Sequence, residues 1–175
     1  DKKLLLQSEY RQKNLNSNFV MDGSFVDKNN NSIKSHFFLN ASRNLDFDYF
    51  DETELDLRLE QVSDDNYLKA YKLKSPIIKD FSTLKSSVGI NANKEDLQLN
   101  IDFEVYENLS KKESDRYEYI FPTYGLVKQF EQSETLNGAY TLNSSGFIKN
   151  FDTNVYEKVL INDIIFNSNS TTTNE

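Results

Sequence analysis

The chain has 175 residues, which suits one domain of moderate size or a piece of a larger one. Its 20 Lys and Arg against 28 Asp and Glu give a formal net charge of -8, which argues against a nucleic-acid backbone as the main partner. Cysteine is absent and His36 is the single histidine, so disulfides within the chain are excluded and we expect no metal site, cofactor or catalytic residue. Because the chain starts at Asp1, and its apolar run at Leu4 is far too short for a signal peptide, we expect an excised or processed stretch.

The composition favours an all-β protein. The chain holds 10 Tyr, 13 Phe and only 2 Pro. Asn and Ser crowd the intervals between apolar alternations, as strands joined by polar turns require. Mean hydropathy is -0.68, and no run approaches the roughly 20 apolar residues that a membrane-spanning helix needs.

The first long alternation runs from Ile33 to Tyr49 and predicts a strand. Its odd positions are mostly apolar and its even positions mostly polar, with His36, Asp46 and Asp48 among the latter. Arg43 interrupts the apolar side, and we expect a β-bulge or a bend there.

The next predicted strand begins at Leu55 and ends in the sequence QVSDDNYL. The segment from Ser63 to Tyr67 has two interpretations. Asp64, Asp65 and Asn66 offer the oxygen ligands that a divalent cation prefers. Asp and Asn also bond to nearby backbone groups and favour turns, so the sequence predicts a corner where a strand runs into an exposed loop and the tyrosine packs.

The clearest strand is LQLNIDFEVY, from Leu97 to Tyr106. A partner strand from Leu84 to Ala92 and the polar turn NKED predict a hairpin with it. If the sheet crosses a membrane, one face of the strand meets lipid and the other lines a lumen. The predicted lipid-facing residues are Leu97, Leu99, Ile101, Phe103 and Val105, and the predicted lumen-facing residues are Asn100, Asp102 and Glu104.

The same alternation continues downstream and predicts seven to eight strands in all. The turns follow one another too closely for parallel crossovers, so we expect an antiparallel meander. We predict one domain over residues 1–175, a partial β-barrel, with residues 166–175 as a mobile loop or a cut end. A soluble β-sandwich produces the same alternation as a membrane barrel. Long strands, a polar face rich in Asn, Ser and Asp, and aromatic residues near strand ends favour the barrel.

Two motifs carry a resemblance to a known family. A strand that closes on Val62, Ser63, Asp64 and Tyr67 is followed downstream by a Tyr-rich strand that holds Tyr117, Tyr119 and Pro122. In this order and spacing they resemble the barrel of the outer-membrane lipopolysaccharide-assembly proteins, also called organic solvent tolerance proteins. The resemblance covers roughly residues 33–166.

The resemblance implies a large transmembrane β-barrel in the outer membrane of a Gram-negative bacterium. Such a barrel receives lipopolysaccharide from periplasmic bridge proteins, encloses a plug lipoprotein and releases lipid into the outer membrane through a lateral opening. This chain would supply part of that barrel. The family implies no catalytic residues, because moving a lipid breaks no bond.

Other interpretations stay open at this point. Asp46, Asp48, Asp102 and Glu104 could be paired carboxylates for acid/base chemistry, although their regular polar faces indicate a solvated wall. Pro122 predicts a strand start or a bulge. The alternative functions are a soluble β-sheet module that binds a glycan or another ligand and a complete small outer-membrane barrel. An enzyme is the least favoured, because the sequence offers no evident grouping of nucleophile, base and orienting residue.

Overall fold

The computed structural model describes residues 4–27, 33–133 and 137–168. They form one antiparallel sheet whose strand order follows the chain order from β1 to β9. This confirms the predicted all-β antiparallel meander, with nine strands in the described residues where seven to eight were predicted. The sheet is open. Its strands are β1 (Leu5–Lys13), β2 (Ser17–Val26), β3 (Lys34–Leu45), β4 (Glu52–Val62), β5 (Thr83–Lys94), β6 (Leu97–Asn108), β7 (Tyr117–Ser133), β8 (Gly138–Phe151) and β9 (Val155–Ser168).

The strands β5 and β6 form the predicted hairpin. They pair from Thr83 with Asn108 to Lys94 with Leu97, and only Glu95 and Asp96 lie between the strands. A two-residue connection fixes the register, and the period-2 pattern of β6 then puts all its apolar side chains on one face. Asp96 is fastened by an ion pair with Lys128 of β7, which lowers the pKa of its carboxyl group.

The strand β3 differs from the sequence prediction at two points. It pairs with β2 as far as Arg43 and with β4 as far as Leu45 without a register shift, so the predicted bulge at Arg43 is wrong. It also ends at Leu45 and not near Tyr49, because residues 46–51 form the turn to β4, in which the Phe50 N–H donates to the Phe47 carbonyl oxygen at 3.1 Å. Asp46 and Asp48, which alternation assigned to the strand, are residues that favour turns.

A bulge lies instead in β7, at Phe121 and Pro122. The register shifts there against both β6 and β8. Proline donates no ladder hydrogen bond, so an unpaired position in a central strand is the place that accepts it. Of the two predicted roles of Pro122, a strand start or a bulge, the structure shows the bulge.

The ends of the chain add strand that alternation did not predict. Both β1 and β2 precede Ile33, where the predicted strands began. At the other end β9 continues to Ser168, and the rest of the predicted loop, residues 169–175, lies outside the described residues. The described helices are the four-residue α1 (Tyr67–Ala70) and a 3-10 turn (Glu113–Asp115). Neither has the length or the apolar character that crossing a membrane requires.

The core lies at one end of the sheet, under the connection between β4 and β5. This connection, residues 63–82, is called the covering loop below. It contains α1 and brings Tyr67, Leu68 and Leu73 onto the sheet, where each is at most 4 % exposed. The other buried apolar members of the cluster are Val26, Phe38, Ile77, Ile78, Leu84 and Leu109.

Candidate functional site

The sheet has two chemically different faces. Directly paired residues in neighbouring strands share a face, so the register assigns every strand residue to one side. One side, the apolar face, carries Leu57, Val88, Phe103, Phe121 and Ile148 on five adjacent strands. The other side, the polar face, carries Asp22, His36, Arg58, Ser87, Glu104 and their paired neighbours.

The middle of the apolar face is uncovered in the described part of the chain, although Thr53 and Ala92 near one end of it are buried. Leu57, Val88 and Phe103 are 42–43 % exposed, although they lie in the interior of a nine-stranded sheet. The predicted lipid-facing residues lie together on this side, and none of them is buried: Phe103 is exposed, while Leu97, Leu99, Ile101 and Val105 are half-buried. An apolar surface of this breadth is rare on a soluble monomer and marks a surface that meets a partner or a membrane.

Aromatic residues gather on the apolar face near the end where the covering loop lies. Tyr117 and Tyr119 stack with their ring centroids 6.2 Å apart, and Phe121 contacts both Tyr119 and Phe103. Phe121 follows Tyr119 by two positions and shares its side, and the bulge at Pro122 then returns Thr123 to the polar side, where it pairs with Asp102. The second motif of the resemblance therefore lies on the apolar face.

The predicted lumen-facing residues lie on the polar face and are half-buried. Glu104 pairs with Lys85 of β5 and also accepts a hydrogen bond from the Tyr106 hydroxyl at 3.2 Å. The Glu104 carboxylate is thus balanced by a cation of the neighbouring strand. Asn100 pairs with Gly125 of β7, and Asp102 pairs with Gly89 of β5, so each polar side chain lies beside a glycine.

A groove with amide side chains crosses the polar face from β5 to β9. Its volume is 460 Å³. The amide residues among its lining are Asn91, Asn93, Gln98, Asn100 and Asn143. Amides offer both donors and acceptors without charge, which is the chemistry that matches sugar hydroxyl groups.

The first motif of the resemblance fastens the covering loop to the sheet. The Ser63 Oγ accepts a hydrogen bond from the Ser35 N–H at 2.7 Å, and Asp64 pairs with Lys34 at 2.5 Å. The other Asp64 oxygen accepts from the Asn66 N–H at 3.1 Å, which is the local bond of an Asx turn. The segment from Ser63 to Tyr67 is thus a corner in which Tyr67 is fully buried.

Asp65 holds a second contact of the same loop. Its carboxylate lies 2.6 Å from Arg116, which also pairs with Glu107 at 2.6 Å. The bonds from Asp65 and Glu107 raise the pKa of Arg116, which stays charged. With Asp64 and Asp65 engaged by cations of the chain, the cation-site interpretation lacks free ligands, and the described residues contain no group of three or more metal-ligating side chains.

A buried polar cluster lies beneath the covering loop. The Ser24 Oγ is 2.6 Å from His36 Nδ1 and 2.8 Å from the Tyr67 hydroxyl, while His36 Nε2 is 3.2 Å from Asp22. The Asp22 and His36 side chains are both 0 % exposed. Gln7 joins the cluster to the loop, since its amide donates to Asp22 at 3.3 Å and to the Lys74 carbonyl at 2.7 Å. Four segments distant in sequence are joined here.

The sequence analysis missed this cluster. His36 was placed correctly on the polar side of β3, but the Tyr67 ring that packs beside it comes from the covering loop, 31 residues downstream. The period-2 pattern of β2 contained a signal, since Asp22 and Ser24 alternate with Met21, Gly23 and Phe25.

Aspartate, histidine and serine in one chain of contacts are the residue types of a hydrolase triad. The arrangement differs from a working nucleophile, which needs its hydroxyl open to a substrate. The Ser24 hydroxyl is bonded to both His36 and Tyr67, and the residue is 5 % exposed. In this conformation the cluster holds the loop, and that the chain is not an enzyme stays a prediction.

Comparisons of the chain with protein-family models, with curated proteins and with solved structures gave no significant match.

Proposed function

We propose that this sheet is part of the wall of a large outer-membrane β-barrel, with its apolar face toward lipid and its polar face toward the lumen. One observation carries the proposal. The chain covers one end of its polar face with a loop that brings its own apolar core, and it leaves most of the apolar face open. A soluble sheet gains most free energy by the opposite choice, because burial of apolar area drives folding in water. In a bilayer the open apolar face needs no cover.

Strand length and sheet edges support the same proposal. The strands have 9 to 17 residues, and a tilted strand needs about 9–11 to cross the hydrocarbon layer. The edge strands β1 and β9 each have one unpaired side among the described residues. Unpaired edges are not tolerated within a membrane, so in this proposal further strands continue the wall on both sides.

The transport function is a finer proposal that rests on the resemblance to lipopolysaccharide-assembly proteins. In this proposal the wall belongs to a non-catalytic translocon that inserts lipopolysaccharide into the outer leaflet, with a plug lipoprotein and periplasmic bridge proteins as partners. Two features of the site support it. The motif residues Ser63, Asp64 and Tyr67 hold the covering loop on the polar face, and the amide groove on that face suits a sugar-rich head group.

The wall proposal is tested by the lipid contact of four successive residues. An environment-sensitive fluorophore is attached in turn at Leu99, Asn100, Ile101 and Asp102 of the full-length protein in liposomes whose lipid tails carry a quencher. Quenching at 99 and 101 but not at 100 and 102 is expected. An absence of quenching at all four would contradict the proposal and favour a soluble module, in which the amide groove is a candidate glycan site.

The transport proposal needs a separate test in cells. The chromosomal copy is placed under a repressible promoter, and newly made lipopolysaccharide is followed to the cell surface by labelling. Arrival at the surface is expected to stop as the protein is depleted and to return when the wild-type protein is supplied. Continued arrival after depletion would contradict the transport function and would leave the wall proposal standing.

A further inference from the structure

Arg43 is the one arginine that the register places on the apolar face, which also carries Lys94, Lys128 and Lys158. Its strand neighbours are Ser17 of β2 and Leu55 of β4, and the unbroken register on both sides gives it no bulge through which to turn away. Arg11, Arg58 and Arg116 each pair with a carboxylate. Arg43 is exposed and has no ion pair among the described residues. A charge kept on an apolar surface without an internal partner points to an external one.

Arg43 lies at the rim of a large groove on that face. The groove has a volume of 1220 Å³ and runs over β1 to β4 at the end opposite the covering loop. Ala41 lies between Phe19 and Leu57 in the register, so a methyl group separates two large side chains. Tyr10 packs edge-on against Phe19 with centroids 5.9 Å apart and extends the wall. The result is an apolar channel with a guanidinium at one end.

This arrangement matches a molecule with an apolar chain and an anionic head. Guanidinium binds phosphate through paired, charge-assisted hydrogen bonds. Arg43 lies two residues before the end of β3, about 7 Å along the strand, which is the level of lipid head groups in a wall that spans the membrane. Asn14 and Asn16, in the turn beside the groove, add uncharged polar groups at the same level.

We propose that this groove binds one anionic phospholipid, with its phosphate at Arg43 and an acyl chain over Ala41 between Phe19 and Leu57. The inference rests on the proposed membrane wall and adds to it a defined lipid site. The apolar channel does not distinguish a neutral lipid from an anionic one, so in this proposal the selectivity comes from the Arg43 guanidinium, with Lys13 as a second cation in the lining. The channel itself requires the small side chain of Ala41.

The test compares lipid retention by full-length protein in nanodiscs of mixed phosphatidylcholine and phosphatidylglycerol. Native mass spectrometry counts the lipids that stay bound after release from the disc. Arg43→Gln is expected to lower the retention of phosphatidylglycerol relative to phosphatidylcholine about fivefold. Arg11→Gln, which removes an exposed arginine from the polar side of β1, is the matched control and is expected to leave retention unchanged.

A second variant separates a built site from simple charge attraction. Ala41→Leu keeps Arg43 and fills the channel, so it is expected to lower retention of the same lipid. Unchanged retention in Arg43→Gln, equal loss in Arg11→Gln, or full retention in Ala41→Leu would each overturn the lipid site. A protein dimer that persists without phosphatidylglycerol and is lost in Ala41→Leu would make the groove a contact between copies and would also overturn it.

The fluorophore experiment at Leu99 and Ile101 distinguishes the two failures. If those positions are quenched by lipid and Arg43→Gln has no effect, only the lipid site is wrong. If they are not quenched, the membrane wall is wrong and the lipid site fails with it.

Discussion

At the scale of single residues, Tyr67 joins two kinds of interaction that can be separated. Its ring is fully buried against the core, and its hydroxyl bonds to Ser24 at 2.8 Å. The ring stabilises the docked covering loop through its buried apolar area, and the hydroxyl fixes the position in which the loop docks. The two contributions differ in size, because a net hydrogen bond is worth about 1 kcal/mol and a large buried side chain several times more.

Removing the hydroxyl is therefore expected to loosen the loop, and removing the ring to release it. Tyr67→Phe should lower the free energy of loop opening by about 1 kcal/mol, and Tyr67→Ala by roughly 3–5 kcal/mol. Trypsin measures the opening, since the loop exposes Lys69, Lys72, Lys74 and Lys79. Cleavage in folded full-length protein should rise modestly in the first variant and strongly in the second. Equal cleavage in all three proteins would mean that Tyr67 does not hold the loop.

The same hydroxyl predicts a pH dependence. Burial raises the pKa of Tyr67 above its usual value of 10.0. The docked loop therefore holds this proton more tightly than the open loop does. The stabilisation is complete below pH 10 and is lost as the pH rises through the pKa of the docked state. Trypsin cleavage corrected for enzyme activity should increase above pH 10 in the wild type. Tyr67→Phe, which has no such proton, should lack this increase.

At the scale of elements, the alternation predicted strands well where one side of the strand is apolar and the other polar along its whole length. In β6 the period-2 pattern gave the strand, its hairpin partner and its two faces. It failed at β3, because Asp46 and Asp48 fit the polar side of a strand as well as they fit the turn that they form. The covering loop could not be predicted, since its place depends on contacts such as Ser24 with Tyr67, which are 43 residues apart.

Glycines within strands give a prediction about strand pairing. A side-chain methyl at Gly146 of β8 would lie well inside contact distance of the Val159 carbonyl oxygen in β9, and backbone cannot move aside cheaply. A methyl at Gly23 of β2 would meet its nearest atom, the His36 carbonyl oxygen, at an ordinary 3.6 Å. Both glycines lie on the apolar face.

Gly146→Ala is therefore expected to weaken the pairing of β8 with β9, and Gly23→Ala is its matched control. Amide hydrogen exchange of full-length protein in nanodiscs reports the pairing strand by strand. Exchange in β9 should accelerate in Gly146→Ala, while exchange in β1 to β3 stays unchanged in Gly23→Ala. Equal protection of β9 in both variants would show that a methyl group at Gly146 fits between β8 and β9 without disturbing their pairing.

At the scale of the whole molecule, the position of the covering loop determines which face of the sheet is left exposed. The loop that carries the core lies on the polar face at one end, so the remaining polar surface stays hydrated and the apolar surface stays open. The sequence predicted the two faces. It did not predict that one would be covered, because cover is a property of long-range contacts that alternation does not contain.

An arginine introduced on the apolar face should therefore lower the stability of the protein more than an arginine at the adjacent position on the polar face. Ile101→Arg puts a cation in the middle of β6 on the apolar face, where a lipid-facing arginine costs about 2–4 kcal/mol. Asn100→Arg puts the same side chain on the hydrated polar face, beside Gly125, and should cost little. Denaturant unfolding of full-length protein in lipid vesicles measures both. A similar, small cost for the two variants would contradict a lipid-facing or buried apolar face, because an arginine costs little only where water reaches it.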